Sequence, residues 1–351
     1  MKSNNTNKKR VIYYDILNIL AMISVIAMHV NGIVHGNPRT SAWNTSLVVD
    51  CICYWAVPVF MMISGATLMN YREKYDTKTF FKKRLLKVLI PFVFWAIFMT
   101  VWKVYTKQME FKQISSVKKF LNIILTNKEE GTYYFMFEIL GIYLTMPLLS
   151  LLAKDENRKT LWFVVLLYFI FNGVLKNIIP LIGIEYNNSL TIQLGNYVIF
   201  VLLGYLLSTQ DLTKKQKIAL YISAIVGVLF RYIITFILSK QSGVVVKNTW
   251  GYSQWHSILL ACAVFVLIKD LKINEKIKNN KKLANVLKEI SSCSFGIYLI
   301  HRIIMYYQIS LLDIKVVTTQ WRTLGIISTY LITLAIVYIL KKIPVIKRLV
   351  P

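Results

Sequence analysis

The sequence predicts an all-α membrane protein, a polytopic bundle of about ten transmembrane helices. Two observations predict this class: 56% of the 351 residues are hydrophobic with a mean hydropathy of +0.52, and apolar stretches of about 20 residues recur along the chain. No composition shift or low-complexity segment divides it. We therefore expect a single integral-membrane domain over residues 1–351, with no appended soluble domain.

The helices are predicted from ten apolar stretches, each of roughly the length that crosses a bilayer. In chain order they cover roughly 12 to 34, 46 to 69, 85 to 106, 133 to 152, 161 to 180, 191 to 208, 218 to 239, 252 to 268, 291 to 312 and 322 to 341. The longest outer connection, residues 107–132, also contains an amphipathic stretch near 115–125, which predicts a helix at the membrane surface.

The net charge of +26 is explained by membrane topology. With a cytoplasmic N-terminus, most lysines and arginines fall in inward segments, as the positive-inside rule requires. We therefore predict a cell-membrane protein with both termini in the cytoplasm, in contact with anionic lipid and not with nucleic acid. The inward basic groups are residues 8–10, 72–87, 154–159, 214–217, 269–288 and 341–348.

The first span carries three polar side chains on one helical face. Asp15, Asn18 and His29 are three and eleven residues apart, so at about 100° per residue they point in nearly the same direction. An ionisable group at membrane depth is costly and typically marks a functional site. His29 lies in the outer third of its helix and is the leading candidate for chemistry.

Four segments resemble, in order, the acyltransferase 3 family of membrane O-acyltransferases. YYDILNILAMISVIAMHVNG resembles its first helix, AVPVFMMISGATLM its second, FFKKRLLKVLIPFVFW its basic inner loop and third helix, and SSCSFGIYLIH its signature ending at His301. The resemblance implies transfer of an acyl group, usually acetyl, from cytoplasmic acetyl-CoA or another acyl-CoA to a hydroxyl of an envelope polysaccharide or glycan precursor. It implies no metal, and the four cysteines form no zinc motif.

The first helix departs from the family pattern at one position. The family has a basic residue eleven positions before the histidine, and this chain has Asn18 there. We group Asn18 and Arg231 with the donor-binding residues and suggest that Arg231, near the middle of the seventh span, replaces the missing cation in space.

The resemblance makes His29 the general base, because imidazole titrates near neutral pH, or alternatively a transient acyl carrier. Asp50 and Glu138 lie at similar depth near the outer ends of their spans. Either carboxylate would orient the imidazole as the third member of a triad does, and Glu138 is slightly favoured. For His301, a structural hydrogen bond and a catalytic role stay open.

Substrate contacts are predicted at both membrane faces. Arg84 and Lys87 resemble the family's inner basic pair and would hold CoA phosphates, although ordinary snorkelling of helix-end cations is an equal alternative. On the outer side an acceptor mouth is predicted, with an aromatic belt at the membrane interface as the alternative. Its candidate residues are His35, Trp43, Trp255 and His256.

A different functional class stays open. Multi-span bundles with sparse intramembrane charges are also typical of carriers, so a transporter or exporter of a small solute or glycan intermediate is the alternative to an acyltransferase. The change at Asn18 makes that alternative more plausible, whereas the lack of a visible inverted repeat argues mildly against it. An inactive binding or scaffold protein is a third interpretation.

Overall fold

The computed structural model describes residues 10–277 and 280–351, and within these ranges the chain is helical, without strands. The all-α prediction is confirmed, while Lys8 and Lys9 of the first basic group lie outside the described residues. The α-helices are α1 Ile12–Val30, α2 Ser41–Cys53, α3 Ala56–Leu68, α4 Thr77–Arg84, α5 Ile90–Tyr105, α6 Val117–Leu125, α7 Tyr134–Leu149, α8 Arg158–Tyr168, α9 Lys176–Ile178, α10 Val198–Thr209, α11 Lys214–Ser242, α12 Trp255–Asp270, α13 Ile273–Lys276, α14 Lys281–Leu311 and α15 Thr319–Leu340.

Helices long and apolar enough to cross a membrane number seven in the part of the chain that the structure describes. These helical segments are Ile12–Val30, Ser41–Glu73, Thr77–Tyr105, Gly131–Leu149, Asp155–Ile182, Lys214–Ser242 and Thr319–Leu340. The apolar helix α10 is shorter, with 12 residues. The prediction of a membrane helix bundle is therefore confirmed. The count of about ten spans and the cytoplasmic side of the termini stay predictions.

The predicted second span consists of two helices. α2 ends at Cys53 and α3 begins at Ala56, with Tyr54 and Trp55 between them. Pro58 in the first turn of α3 accounts for the break, because proline has no N–H to donate to the carbonyl of Tyr54 and its ring would clash there. The apolar pattern runs through this break, so periodicity alone did not reveal it.

A π-helical segment, Leu85–Leu89, joins α4 to α5. Pro91 follows in the first turn of α5, so the regular hydrogen-bond ladder is interrupted in the same region. Such π-helical insertions occur frequently at functional sites. Lys87 lies inside this segment. A helix is also present near the predicted segment 115–125, as α6, with its N-terminus capped by the Ser116 hydroxyl, while its position at the membrane surface stays a prediction.

Helix α1 lies at the centre of the bundle and packs against α14, α3, α15 and α2. Beside it, α3 and α10 approach so closely that their backbones touch. A Cβ atom at Gly65 would overlap the carbonyl of Val201, and one at Gly204 would overlap the carbonyl of Met62. Small residues allow this approach between helices in a membrane. The helix that carries Phe60 and Ser64 is therefore held rigidly against α10.

Candidate active site

Three cavities of similar size follow one another through the bundle around α1. We name them by a lining residue: the His29 cavity of about 270 Å³, the Ser294 cavity of about 290 Å³ and the Lys87 cavity of about 280 Å³. Phe60 and Phe135 line all three. Since neighbouring cavities share walls, they form one row from His29 to Lys87.

His29 lies on α1, and its partly accessible side chain lines the first cavity. Its ring stacks on the ring of His301 from α14, with centroids 5.2 Å apart and planes 29° apart. His301 Nδ1 lies 2.7 Å from the carbonyl oxygen of Tyr298 and 3.2 Å from that of Ile297, so we assign its proton to Nδ1. His301 Nε2 is then an acceptor that is buried without a partner among the described residues.

Asn18 lines the Ser294 and Lys87 cavities and lies eleven residues before His29 on α1. Its amide Nδ2 donates to the carbonyl oxygen of Ser291 at 3.3 Å and to the Ser291 hydroxyl at 3.2 Å. The structure therefore places Asn18 on the wall of the cavity row, where it is tied to α14. Its grouping with the donor-binding residues stays a prediction.

The predicted inner basic pair is split by the structure. Lys87 lines the third cavity, whereas the Arg84 guanidinium packs over the rings of Tyr143 and Phe80 at 5.4 Å and 5.7 Å. Tyr143 in turn lines the cavity. In the part of the chain that the structure describes, Lys87 is therefore the lysine or arginine that lines the row of cavities, and Arg84 lies behind Tyr143.

Asp50 lines the His29 cavity but pairs with Arg231. Asp50 Oδ2 and Arg231 Nη2 are 2.5 Å apart, with side chains 7% and 2% exposed. The guanidinium also lies 3.3 Å above the ring of Tyr54, whose hydroxyl donates to the carbonyl of Trp250. Asp50 is therefore engaged with Arg231, not with His29. Arg231 contacts this cluster, not Asn18, so the idea that it replaces the missing cation gains no support.

Glu138 lies on α7 one helical turn after the cavity-lining residues Tyr134 and Phe135, and its side chain is exposed. It is absent from the wall of the His29 cavity. The structure therefore does not bring the favoured carboxylate to the imidazole.

Of the four residues predicted for the acceptor mouth, only His35 lines the His29 cavity. Its ring contacts Trp250 at 5.1 Å, and burial together with the charge of Lys247 lowers the pKa of His35. The other three do not line this cavity and contact neighbouring residues of the bundle instead. Trp43 donates to the Val34 carbonyl at 2.8 Å, and His256 contacts Gln254 at 2.8 Å. The ring of Trp255 packs on Phe230.

Aromatic residues other than the four predicted for the acceptor mouth form half of this wall. Tyr54 and Tyr252 stack with centroids 4.2 Å apart and planes 15° apart, and Tyr134 and Trp250 also line the cavity. These residues come from three separate parts of the chain. Only the aromatic composition of segment 250–255 gave a signal in the sequence.

A second charged network lies beside the His29 cavity. Glu130 contacts Lys103 at 3.1 Å and Arg302 at 3.6 Å. Burial alone would raise the pKa of Glu130, but these two cations outweigh it, so the pKa is lowered. Next to it, Glu129 is fully buried, and neither of its carboxylate oxygens has a partner within residues 10–277 and 280–351. Burial raises the pKa of Glu129 to about 7.

A family model described as an acyltransferase domain of the acyltransferase 3 type matches residues 11–341. The chain belongs to the acyltransferase 3 family. No curated protein and no solved structure matches it significantly. Family membership together with the membrane-length helices makes the chain a membrane acyltransferase in general terms. In this acyltransferase 3 protein, the matched region includes α1 with His29, the π-helical segment with Lys87 and the α14 motif with His301.

Proposed function

We propose that this acyltransferase moves an acetyl group from cytoplasmic acetyl-CoA to a hydroxyl of an envelope polysaccharide or glycan precursor. The observation that supports this proposal is the row of three cavities between Lys87 and His29. A transferase whose donor and acceptor lie on opposite faces needs such a passage through its bundle. A histidine at one end and a cation at the other match the two substrates.

The donor enters at the Lys87 cavity in this proposal. The Lys87 ammonium binds CoA phosphate through charge-assisted contacts, and the pantetheine arm extends along the row past Asn18. The eleven residues of α1 from Asn18 to His29 span about 16 Å at 1.5 Å per residue. An extended arm covers a distance of this order, so the thioester reaches His29 without a carrier on the enzyme.

The acceptor hydroxyl occupies the His29 cavity. A free ring nitrogen of His29 takes the hydroxyl proton as the oxygen attacks the thioester carbonyl. The new C–O bond forms, the C–S bond breaks, and the proton passes from the imidazolium to the departing thiolate, which leaves as the CoA thiol. The His301 ring, whose protonated Nδ1 is fixed by backbone carbonyls, stacks on the His29 ring and holds it in position.

The tyrosine and tryptophan rings of the His29 cavity suit a sugar acceptor, because the apolar face of a pyranose stacks on aromatic rings. Tyr54, Tyr252 and Trp250 offer such faces, and His35, Asp50 and Thr132 add polar groups to the same wall. Apolar surface with a few placed polar groups is the usual composition of a small-ligand site. The wall therefore fits a glycan hydroxyl better than an ionic acceptor.

The direct test uses purified protein in lipid nanodiscs with radiolabelled acetyl-CoA and envelope glycan extracted from cells that lack the gene. We expect label to move to the glycan, and mass spectrometry of glycan from cells with the gene should show the same acetyl group. Equal acetyl content with and without the gene would contradict the proposal. Movement of labelled solute across proteoliposomes without any acyl donor would instead indicate the transporter alternative.

A further inference from the structure

Three aromatic rings stand in contact between the ends of the cavity row. Phe60 of α3 and Phe135 of α7 have centroids 5.8 Å apart, and Phe135 meets Tyr298 of α14 at 5.6 Å. These separations are those of touching rings. Phe60 and Phe135 line all three cavities, and Tyr298 lines the first two. We name these three residues the aromatic constriction.

The three rings differ in how they are held. The Tyr298 hydroxyl donates to the carbonyl of Thr132, so its ring is tied to the start of α7. Phe60 and Phe135 carry no polar group and are only partly buried, because their faces border the cavities. Rotation about their side-chain torsions therefore breaks no hydrogen bond. The constriction has one fixed ring and two that are able to turn.

We propose that the aromatic constriction selects donors by acyl length, admitting acetyl and other short acyl groups and excluding long ones. This inference rests on the proposed function. The acyl group is the leading end of the donor, so it is the first part to pass between Phe60 and Phe135 and must then fit the His29 cavity beside the acceptor. A cavity of about 270 Å³ shared by two substrates leaves little room for a long chain.

The test measures transfer from acetyl-, butyryl- and octanoyl-CoA by wild type, Phe60→Ala and Phe135→Ala. We expect wild type to prefer acetyl-CoA and both variants to raise the rate ratio of octanoyl to acetyl transfer by about tenfold, the size of discrimination that an apolar pocket gives per small group. The matched control is Phe137→Ala. Phe137 lies on the same helix, packs on Phe92 at 5.3 Å and lines none of the three cavities, so its ratio should stay at the wild-type value.

The outcomes distinguish failure of the proposed acyl-length selection from failure of the proposed acetyl transfer. If the wild type transfers acetyl and both alanine variants have the wild-type ratio of octanoyl to acetyl transfer, selection by the aromatic constriction is overturned. The proposed function then still stands. Transfer of octanoyl by the wild type as fast as acetyl would also overturn the selection by acyl length and leave the proposed function standing. Absence of transfer from every acyl-CoA would overturn both. If an alanine variant does not fold, Phe60→Leu and Phe135→Leu keep more of the core volume and should raise the ratio by a smaller factor.

Discussion

The two ends of the cavity row are built from different side chains. The wall of the His29 cavity includes two histidines, a carboxylate, a threonine and several tyrosines. The Lys87 cavity is mostly apolar, and Lys87 is the one ionised side chain in its wall among the described residues. Proton chemistry therefore fits the first end and docking of an anionic donor fits the second. Substitutions at the two ends should change different kinetic constants.

The largest expected effect is at the His29 end. His29→Ala should lower kcat for acetyl transfer by about 10² to 10⁴, the usual contribution of a general base, with a smaller change in the KM for acetyl-CoA. Steady-state transfer in nanodiscs measures both constants. Met28→Leu is the control, since Met28 lines the same cavity and carries no proton chemistry. A His29→Ala variant with the wild-type kcat would contradict the role of His29 as the general base.

A second prediction concerns stability behind the same wall. Arg231→Met leaves the buried Asp50 without its partner, and we expect a loss of about 3 to 5 kcal/mol in the free energy of unfolding. The double variant Asp50→Leu with Arg231→Met should recover much of this loss, as seen by thermal unfolding in detergent. Glu156→Gln removes the exposed Lys154 to Glu156 pair and should cost less than about 1 kcal/mol. Equal costs at the two sites would contradict the structure.

At the other end, Lys87→Ala should raise the KM for acetyl-CoA by about 10- to 100-fold, the range of a lost charge-assisted bond, and leave kcat nearly unchanged. Lys83→Ala removes the same charge one turn earlier, where the ammonium lies over the ring of Tyr75. That control should keep the wild-type KM. A fall in kcat with unchanged KM would place Lys87 in the chemical step and erase the contrast between the two ends.

The smallest expected effect is the pH dependence set by Glu129. Because burial raises its pKa to about 7 from roughly 4.3 in the unfolded chain, the folded state binds this proton more tightly. The protonated Glu129 side chain therefore contributes its full stabilisation below about pH 4. This contribution falls as the pH rises from about 4 to about 7, and it is lost above about pH 7.

Glu129→Gln should flatten this dependence by about 1 to 3 kcal/mol across the window, since one pKa unit corresponds to 1.36 kcal/mol. Thermal unfolding between pH 4 and 8 measures it. Glu110→Gln, at the surface of the same connection, should keep the wild-type profile. A Glu129→Gln profile parallel to that of wild type would show that the carboxylate is solvated.

Sequence periodicity predicted which side chains share a face of one helix. Contacts between helices depend on tertiary packing, and periodicity did not predict them. The common face of Asn18 and His29 follows from 3.6 residues per turn, and both do line the cavity row. The contact of His29 with His301 joins α1 to α14, so no local pattern encodes it. Glu138 shows the limit most clearly: residue counting predicted a position near His29, but the side chain is exposed and does not line the His29 cavity.

The touching backbones of α3 and α10 determine which parts of the passage are free to move. Gly65 and Gly204 leave no space for either helix to shift toward the other, so the Cα of Phe60 keeps its place while only its ring turns. Helix α7, which packs sparsely against α3, carries Phe135 on the opposite side. Widening of the passage during a catalytic cycle should therefore come from outward tilting of α7. Hydrogen exchange in the presence of donor should rise along that helix while α3 stays protected.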